Sequence, residues 1–183
     1  MTISGYLAGA AIVGALAFSQ VAAAKVVDQG DTGFTVAHTA QVAASPADVW
    51  KMLRMPESWW SKEHSWSGDA ANFWLDSQAG GCFCEINGAQ QAWHMTVTFT
   101  DPGKLMRMTG GLGPLQGMGL DGALEWRFVE EKGGTRITLW YRAGGYTPDD
   151  IGKFAPVVDK VQGQQLGGLA TFLRASPASI PSR

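Results

Sequence analysis

Ala123–Glu130 (ALEWRFVE) and Thr135–Arg142 (TRITLWYR), joined through Lys132-Gly133-Gly134, decide the fold class. Leu124, Trp126 and Phe128 alternate with Glu125 and Arg127 in the first run, and Ile137, Leu139 and Tyr141 alternate with Arg136 and Arg142 in the second. A period of two with a glycine turn between the runs predicts an antiparallel hairpin whose apolar side chains share one face. Upstream, Asn72–Asp76, Gly81–Ile86, Gln91–Thr100 and Lys104–Thr109 carry strand signals at meander spacing, with turns at Asn87-Gly88 and Asp101-Pro102-Gly103. On Gln91–Thr100 the alternation assigns Trp93, Met95, Val97 and Phe99 to the apolar side and His94, Thr96 and Thr98 to the other. By the same pattern His38 and His94 face away from the apolar sets.

Further upstream, Phe34–Ala44 reads as a strand, followed by Ser45-Pro46-Ala47-Asp48. Ser at the N-cap, Pro at the first helical position and Asp at the third start a short helix that stops before Pro56. Pro56–Trp60 forms a second helical turn, and Ser61–Gly68 (SKEHSWSG) is a polar loop. Downstream the period changes. Ile151, Phe154, Val158, Val161, Leu169 and Phe172 recur at three- and four-residue steps, widened by Val157, Leu166 and Leu173, which predicts a long amphipathic C-terminal helix. Pro156 places its start near Ala155, with a short helical turn before it. Gly163, Gly167 and Gly168 each cost about 1 kcal/mol of helix propensity, which calls for close approach to the sheet or room for a ligand.

The 14 Lys and Arg against 16 Asp and Glu give a net charge of −2, which excludes a strongly basic nucleic-acid binder. Met1–Ala24 carries no charged side chain. Its apolar run Leu7–Phe18 precedes Ala22-Ala23-Ala24, the pattern of a secretory signal with a small-residue cleavage site, and is shorter than the ~20 residues a membrane span needs. The expectation is a signal peptide over 1–24, a linker over 25–33, one domain over 34–175 and a flexible tail over 176–183. The mature domain is then periplasmic or secreted, with no stable membrane span after cleavage. Eight Trp in such a chain point to a voluminous aromatic interior or a lined cavity.

The order of one strand, two short helices, an antiparallel meander and a terminal helix is that of an α+β domain. Val42-Ala43-Ala44-Ser45-Pro46-Ala47-Asp48-Val49-Trp50, Glu57-Ser58-Trp59-Trp60-Ser61, Ala79-Gly80-Gly81-Cys82-Phe83-Cys84-Glu85 and Asp101-Pro102-Gly103-Lys104-Leu105 carry a resemblance as well. Over about Phe34–Leu173 the chain resembles the START-like, or SRPBCC, superfamily, which includes polyketide cyclase-like and Hsp90-ATPase-activator-like proteins. The resemblance implies a helix-grip fold, in which a curved antiparallel sheet wraps a long C-terminal helix and commonly leaves a pocket beneath it. It implies three functions. The first is binding of a small hydrophobic or amphipathic molecule, the second a cyclase, dehydratase or hydrolase reaction, and the third contact with a protein partner. Export weakens the third, because the Hsp90 partner is cytosolic.

If a pocket exists, the inward parity nominates Trp93, Met95, Met106, Met108, Trp126, Phe128, Leu139 and Tyr141 for its wall and Trp66 for its rim. The glycine-rich stretch Gly110–Gly122 adds Leu115 and Met118 as an apolar lid. Its Gly117-Met118-Gly119-Leu120-Asp121-Gly122 matches dinucleotide-fingerprint spacing, but a strand rather than a helix follows, so no pyrophosphate site forms there. Glu63 and His64 are the candidates for acid–base work, although adjacent residues need not converge. Three isolated His lack metal-ligand spacing, so no metal and no other cofactor is expected, and oligomeric state is left open. Cys82 and Cys84, two apart on a strand, would have Cα atoms about 6.6–6.8 Å apart, at the limit for a disulfide without a bulge. They read first as small core residues with free thiols, with a redox pair or a Cys-based metal site as alternatives.

Overall fold

The computed structural model describes residues 25–176. The expected signal peptide and the tail beyond Ser176 lie outside the described residues. The strands are β1 (Lys25–Gly30), β2 (Gly33–Val42), β3 (Phe73–Leu75), β4 (Cys82–Asn87), β5 (Gln90–Asp101), β6 (Leu105–Thr109), β7 (Asp121–Glu131) and β8 (Gly134–Gly144). The helices are α1 (Pro46–Leu53), the short α2 (Pro114–Gly117) and α3 (Ala155–Ala175). All neighbours in the sheet pair antiparallel, in the order β1-β2-β8-β7-β6-β5-β4-β3. This is the helix-grip arrangement, a curved sheet holding a long C-terminal helix. Residues 25–33, expected to be a linker, supply the edge strand β1, which pairs with β2 from Lys25↔Ala37 to Gly30↔Gly33.

Local chemistry sets the helix starts. The Ser45 hydroxyl accepts the Asp48 N–H at 3.2 Å, and Pro46 occupies the first turn of α1. A 3-10 turn over Ile151–Phe154 leads into α3 at Ala155, with Pro156 in its first turn where a missing N–H breaks no helical bond. Gly163 and Gly168 mark where α3 comes closest to its neighbours. A Cβ on Gly163 would stand 2.9 Å from the His38 ring, and one on Gly168 would stand 2.3 Å from the Trp59 carbonyl oxygen.

The buried seam of α3 keeps most of the expected apolar stripe, with Leu166, Leu169 and Leu173 buried and Val158 and Phe172 packed against the core, and adds polar residues to it. Ala155, Gln162, Gln165, Leu166, Leu169, Ala170 and Leu173 are buried, while Val157 is exposed. The polar Gln162 and Gln165 thus interrupt the seam at mid-helix, between Ala155 with Val158 on one side and Leu166–Leu173 on the other.

The β7–β8 hairpin keeps unbroken register from Asp121↔Gly144 to Glu131↔Gly134, and all six apolar residues assigned inward are buried. On β5 the parity differs. Its register slips by one residue against β4, opposite Phe83/Cys84, and again against β6 between Val97 and Phe99. The extra residues are His94 and Thr98, and each bulge reverses the alternation beyond it. Met95 and Val97 stay in the core, Trp93 and Phe99 turn out to solvent, and His94 turns in.

The first slip also corrects the free-thiol reading, because Cys82 and Cys84 are joined by a disulfide. Opposite the bulge their Cα atoms stand 5.5 Å apart, inside the normal range. Closing so short a loop removes only about 1.6 kcal/mol of unfolded-chain entropy by the chain-entropy relation.

Candidate functional site

The inner face of the sheet brings most of the nominated residues together. One row in register runs His38, Leu139, Trp126, Met106, and the next runs Val36, Tyr141, Leu124, Met108. Trp59, from the turn after α1, meets Trp126 edge to face with ring centres 5.6 Å apart. Met95, Met106, Met108, Trp126, Phe128, Leu139 and Tyr141 are each no more than 5% exposed, which leaves no water-sized room beside them. The wall assembles, and in this conformation its own side chains fill it.

The β6–β7 connection closes one end of this layer. Leu115 and Leu120 are buried in the core cluster, and Leu112 and Met118 pack against it. The Leu112 N–H points to the Tyr141 hydroxyl at 3.5 Å, and the Gln116 amide donates to the Trp93 carbonyl at 2.5 Å. Gly110, Gly113 and Gly119 take positive φ, which only glycine adopts readily, so the path of this connection depends on glycine at those positions. Burial pushes the Tyr141 phenol up to about 12, so it stays a neutral hydrogen-bonding group. As the sequence implies, Gly117–Gly122 runs into strand β7 at Asp121 and not into a helix.

Trp66 and Trp93 do not join this assembly and are each 53% exposed. Trp93 lies on the outer face because of the His94 bulge, which corrects its inward assignment. Trp66 sits on the loop over Glu85, its N–H donating to that carboxylate at 2.9 Å.

Polar groups line the layer where the sequence reading put none. His38, expected at the surface, is buried under α3 with Nε2 2.9 Å from Asp159 Oδ1. Gln165 Oε1 accepts the Ser61 N–H at 3.0 Å, leaving its Nε2 without a partner, and the buried Gln162 Oε1 has none either. A buried unpaired polar atom costs about 1–3 kcal/mol, so these amides stand ready for a polar group within an apolar layer.

His94, also expected outside, is buried with its ring against both Phe73 and Phe83, at centre distances of 5.6 and 5.5 Å, while the two phenyl rings stack on each other at 5.4 Å. Its Nε2 lies 3.5 Å from Glu85 Oε2. Burial raises the Glu85 carboxyl, but donors from Ser65, Ser67 and the Trp66 and Ser67 backbone outweigh it and hold the group down to about 2. Burial lowers the His94 imidazole, and Glu85 only partly restores it. The pair is thus a carboxylate beside a neutral imidazole inside an aromatic box, one able to accept a proton and the other to stabilise the resulting charge. A histidine in a run of alternating threonines gave no sign of this, because the bulge that turns it in leaves no mark in the pattern.

The nominated Glu63 and His64 diverge. Glu63 accepts from the Ser61 hydroxyl at 2.5 Å, while His64 Nε2 meets Gln164 Oε1 on α3 at 2.6 Å. Two surface hollows lie elsewhere. One of about 280 Å³, between the end of β2, α1 and the end of α3, has Met52 and Leu173 beside Asp48, Lys51 and Arg174. The other, about 610 Å³, is an open groove of backbone and charge along β1, β2, β7 and β8. Among the described residues no three His, Cys, Asp or Glu side chains gather as a metal site, and no helix is long and apolar enough to cross a membrane.

The comparisons agree with the architecture. Residues 33–174 match the family described as polyketide cyclase / dehydrase and lipid transport, and the chain belongs to that family within the SRPBCC superfamily. Among solved structures it is similar to protein MLL2253 from Mesorhizobium loti, with 17% identity and TM-score 0.56 over 78% of this chain and 98% of that one. CalU16 from Micromonospora echinospora is 15% identical at TM-score 0.52, covering 85% and 86% of the two chains. The AHSA1-like protein from Aeromonas hydrophila is 13% identical at TM-score 0.51, covering 81% and 99%. At these identities the likeness is one of fold. No curated protein matches the chain.

Proposed function

We propose that this protein binds a small amphipathic molecule between the inner face of the sheet and α3, entering as the Gly110–Gly122 loop lifts. The observation that carries this reading is the pairing of an apolar wall with buried polar atoms that lack partners, at Gln162 and Gln165. The ligand's apolar part replaces Leu115 and Met118 against Met95, Met108 and Tyr141, and its polar part reaches the α3 amides. Burial of ligand surface then supplies affinity at ~25 cal/mol per Å², less the work of moving the loop.

Native mass spectrometry of the protein purified from cells tests this directly, together with titration by the fluorescent probe 1-anilinonaphthalene-8-sulfonate. Expected is a co-purifying small molecule, and probe binding weakened at least tenfold in Met118→Glu. Absence of both a bound molecule and saturable probe uptake overturns it.

The same reading includes export to the periplasm or beyond, supported by the apolar Leu7–Phe18 run before Ala22-Ala23-Ala24 and by a disulfide of the kind oxidising compartments preserve. Amino-terminal sequencing of cell-purified protein checks it. A chain beginning at Met1 sinks the proposal.

The buried His94–Glu85 pair favours a second reading, an enzyme of the cyclase or dehydratase kind with His94 as the proton-transfer group. For any substrate found, turnover should vanish in His94→Gln and persist in His64→Ala and Glu63→Gln. The reverse pattern returns the role to the loop residues.

A further inference from the structure

We propose that Cys82–Cys84 is a redox-active pair that takes two electrons from a partner's thiols, independent of the ligand site on the other face. Both cysteines point to the outer face of β4, away from the core layer. In register Cys84 lies between Trp74 of β3 and Trp93 of β5, two tryptophans that are 58% and 53% exposed. Cys82 is partly exposed and Cys84 buried, so Cys82 is the more accessible of the two to attack.

A purely structural role fits this bridge poorly. It joins residues only two apart, within a strand already hydrogen-bonded on both sides by β3 and β5, so it cross-links nothing that the sheet does not hold. What it does hold is local: a Cα separation of 5.5 Å where a regular strand would have about 6.6–6.8 Å, opposite the bulge at His94. Opening the bridge frees β4 to extend without separating any pair of elements.

The exchange balances with a dithiol as co-reactant. A thiolate of the partner attacks Cys82 Sγ, the Cys82–Cys84 bond breaks, and Cys84 leaves as a thiolate that takes up a proton. The partner's second thiolate attacks the partner's own sulfur in the mixed disulfide, which releases Cys82 as a thiolate that is protonated in turn. The partner is oxidised to a disulfide, and this protein gains two electrons and two protons as two thiols. The partner chemistry is a thiol pair, carried either by small thiols or by a cysteine-containing polypeptide that can rest on Trp74 and Trp93.

The test uses the oxidised full chain at neutral pH without denaturant. With dithiothreitol, alkylation and mass spectrometry should count two new thiols per molecule. Far-ultraviolet circular dichroism and the cooperative thermal transition should stay native, and tryptophan emission should rise on the same time course as the neighbouring disulfide quencher is lost. With Cys84→Ser, oxidised glutathione should add once at Cys82. The Cys82→Ser variant, leaving the buried Cys84, should react at least tenfold more slowly. Reduced glutathione and a reduced, unfolded polypeptide, compared at equal thiol concentration, separate the two sources, and faster reduction by either supports the exchange. No thiol released until the protein unfolds, loss of native signal on reduction, or equal adduct rates in the two variants would overturn it.

Discussion

The β7–β8 and β4–β5 hairpins are both antiparallel, both carry tryptophan and both close through a glycine turn, yet they treat their side chains differently. β7–β8 pairs without interruption, so Trp126 is 2% exposed and packs against Trp59. β4–β5 carries one residue too many at His94, so Trp93 is turned to solvent and an imidazole takes the inward place. The regular hairpin builds the floor of the core. The bulged one places the chemistry: a His–Glu pair on one face and a disulfide between exposed tryptophans on the other. A single inserted residue is enough, because side chains on a strand alternate with a period of two.

The largest effect should come from truncating the regular hairpin. Trp126→Ala should destabilise the fold by about 3–5 kcal/mol in urea denaturation, as expected for a buried aromatic whose site cannot collapse. A loss under 1 kcal/mol would mean that the layer is loosely filled.

The two turns should differ next. Gly134 at the β7–β8 turn has φ +136°, and a Cβ there would stand within 2.0 Å of the Val42 carbonyl oxygen, whereas Gly88 at the β4–β5 turn has φ +58° and open space around it. Gly134→Ala should therefore cost about 2–4 kcal/mol, from strain plus overlap, against about 1 kcal/mol for Gly88→Ala. Equal melting temperatures for the two variants would break the contrast.

Glu85→Ala should cost about 2–3 kcal/mol by leaving the loop donors of Ser65, Trp66 and Ser67 facing an empty position. Thermal melting beside Glu63→Ala, whose exposed carboxylate meets only Ser61, gives the comparison.

The bulged hairpin also sets an acid limit. His94 titrates lower in the fold than its ordinary 6.5, so below pH 6.5 the unfolded chain takes a proton that the native state resists, and stability falls as pH drops. Glu85, held at about 2 against 4.5, adds a further loss as pH falls from 4.5 toward 2. Glu125 of β7 shares that lower window, since Arg107 and Arg127 outweigh its burial and hold it below the usual carboxylate value. Urea midpoints for His94→Gln should be flatter between pH 6.5 and 4.5 and keep the decline below 4.5. An unchanged slope in the upper window would remove His94 as its source.

The smallest effect belongs to the residue the bulge expels. Trp93→Ala should change stability by no more than about 0.5 kcal/mol, as exposed side chains do. A loss comparable with that of Trp126→Ala would mean that the outer face is covered.

Much of the fold was legible because it rests on short-range rules. Ser45, Pro46 and Asp48 mark the start of α1, Asn87-Gly88 marks a turn, Pro156 marks the first turn of α3, and strict alternation gives both strands of β7–β8. The apolar wall of the candidate site was legible for the same reason. Its polar groups were not. His38 and Gln162 are inward because Gly163 lets α3 settle on β2, and nothing in a helical period says which way an amide will face once the helix has docked.

Sequence alone determined the order of the main elements from β2 to α3, the antiparallel hairpins and the long terminal helix, since each follows from backbone preference and apolar period within a few residues, while the resemblance implied the helix-grip fold. Tertiary structure decided where β5 gains its extra residues, and with them the burial of His94, the exposure of Trp93 and the approach of Cys82 to Cys84. Those outcomes depend on register between strands, a competition among whole-sheet pairings that no single segment encodes.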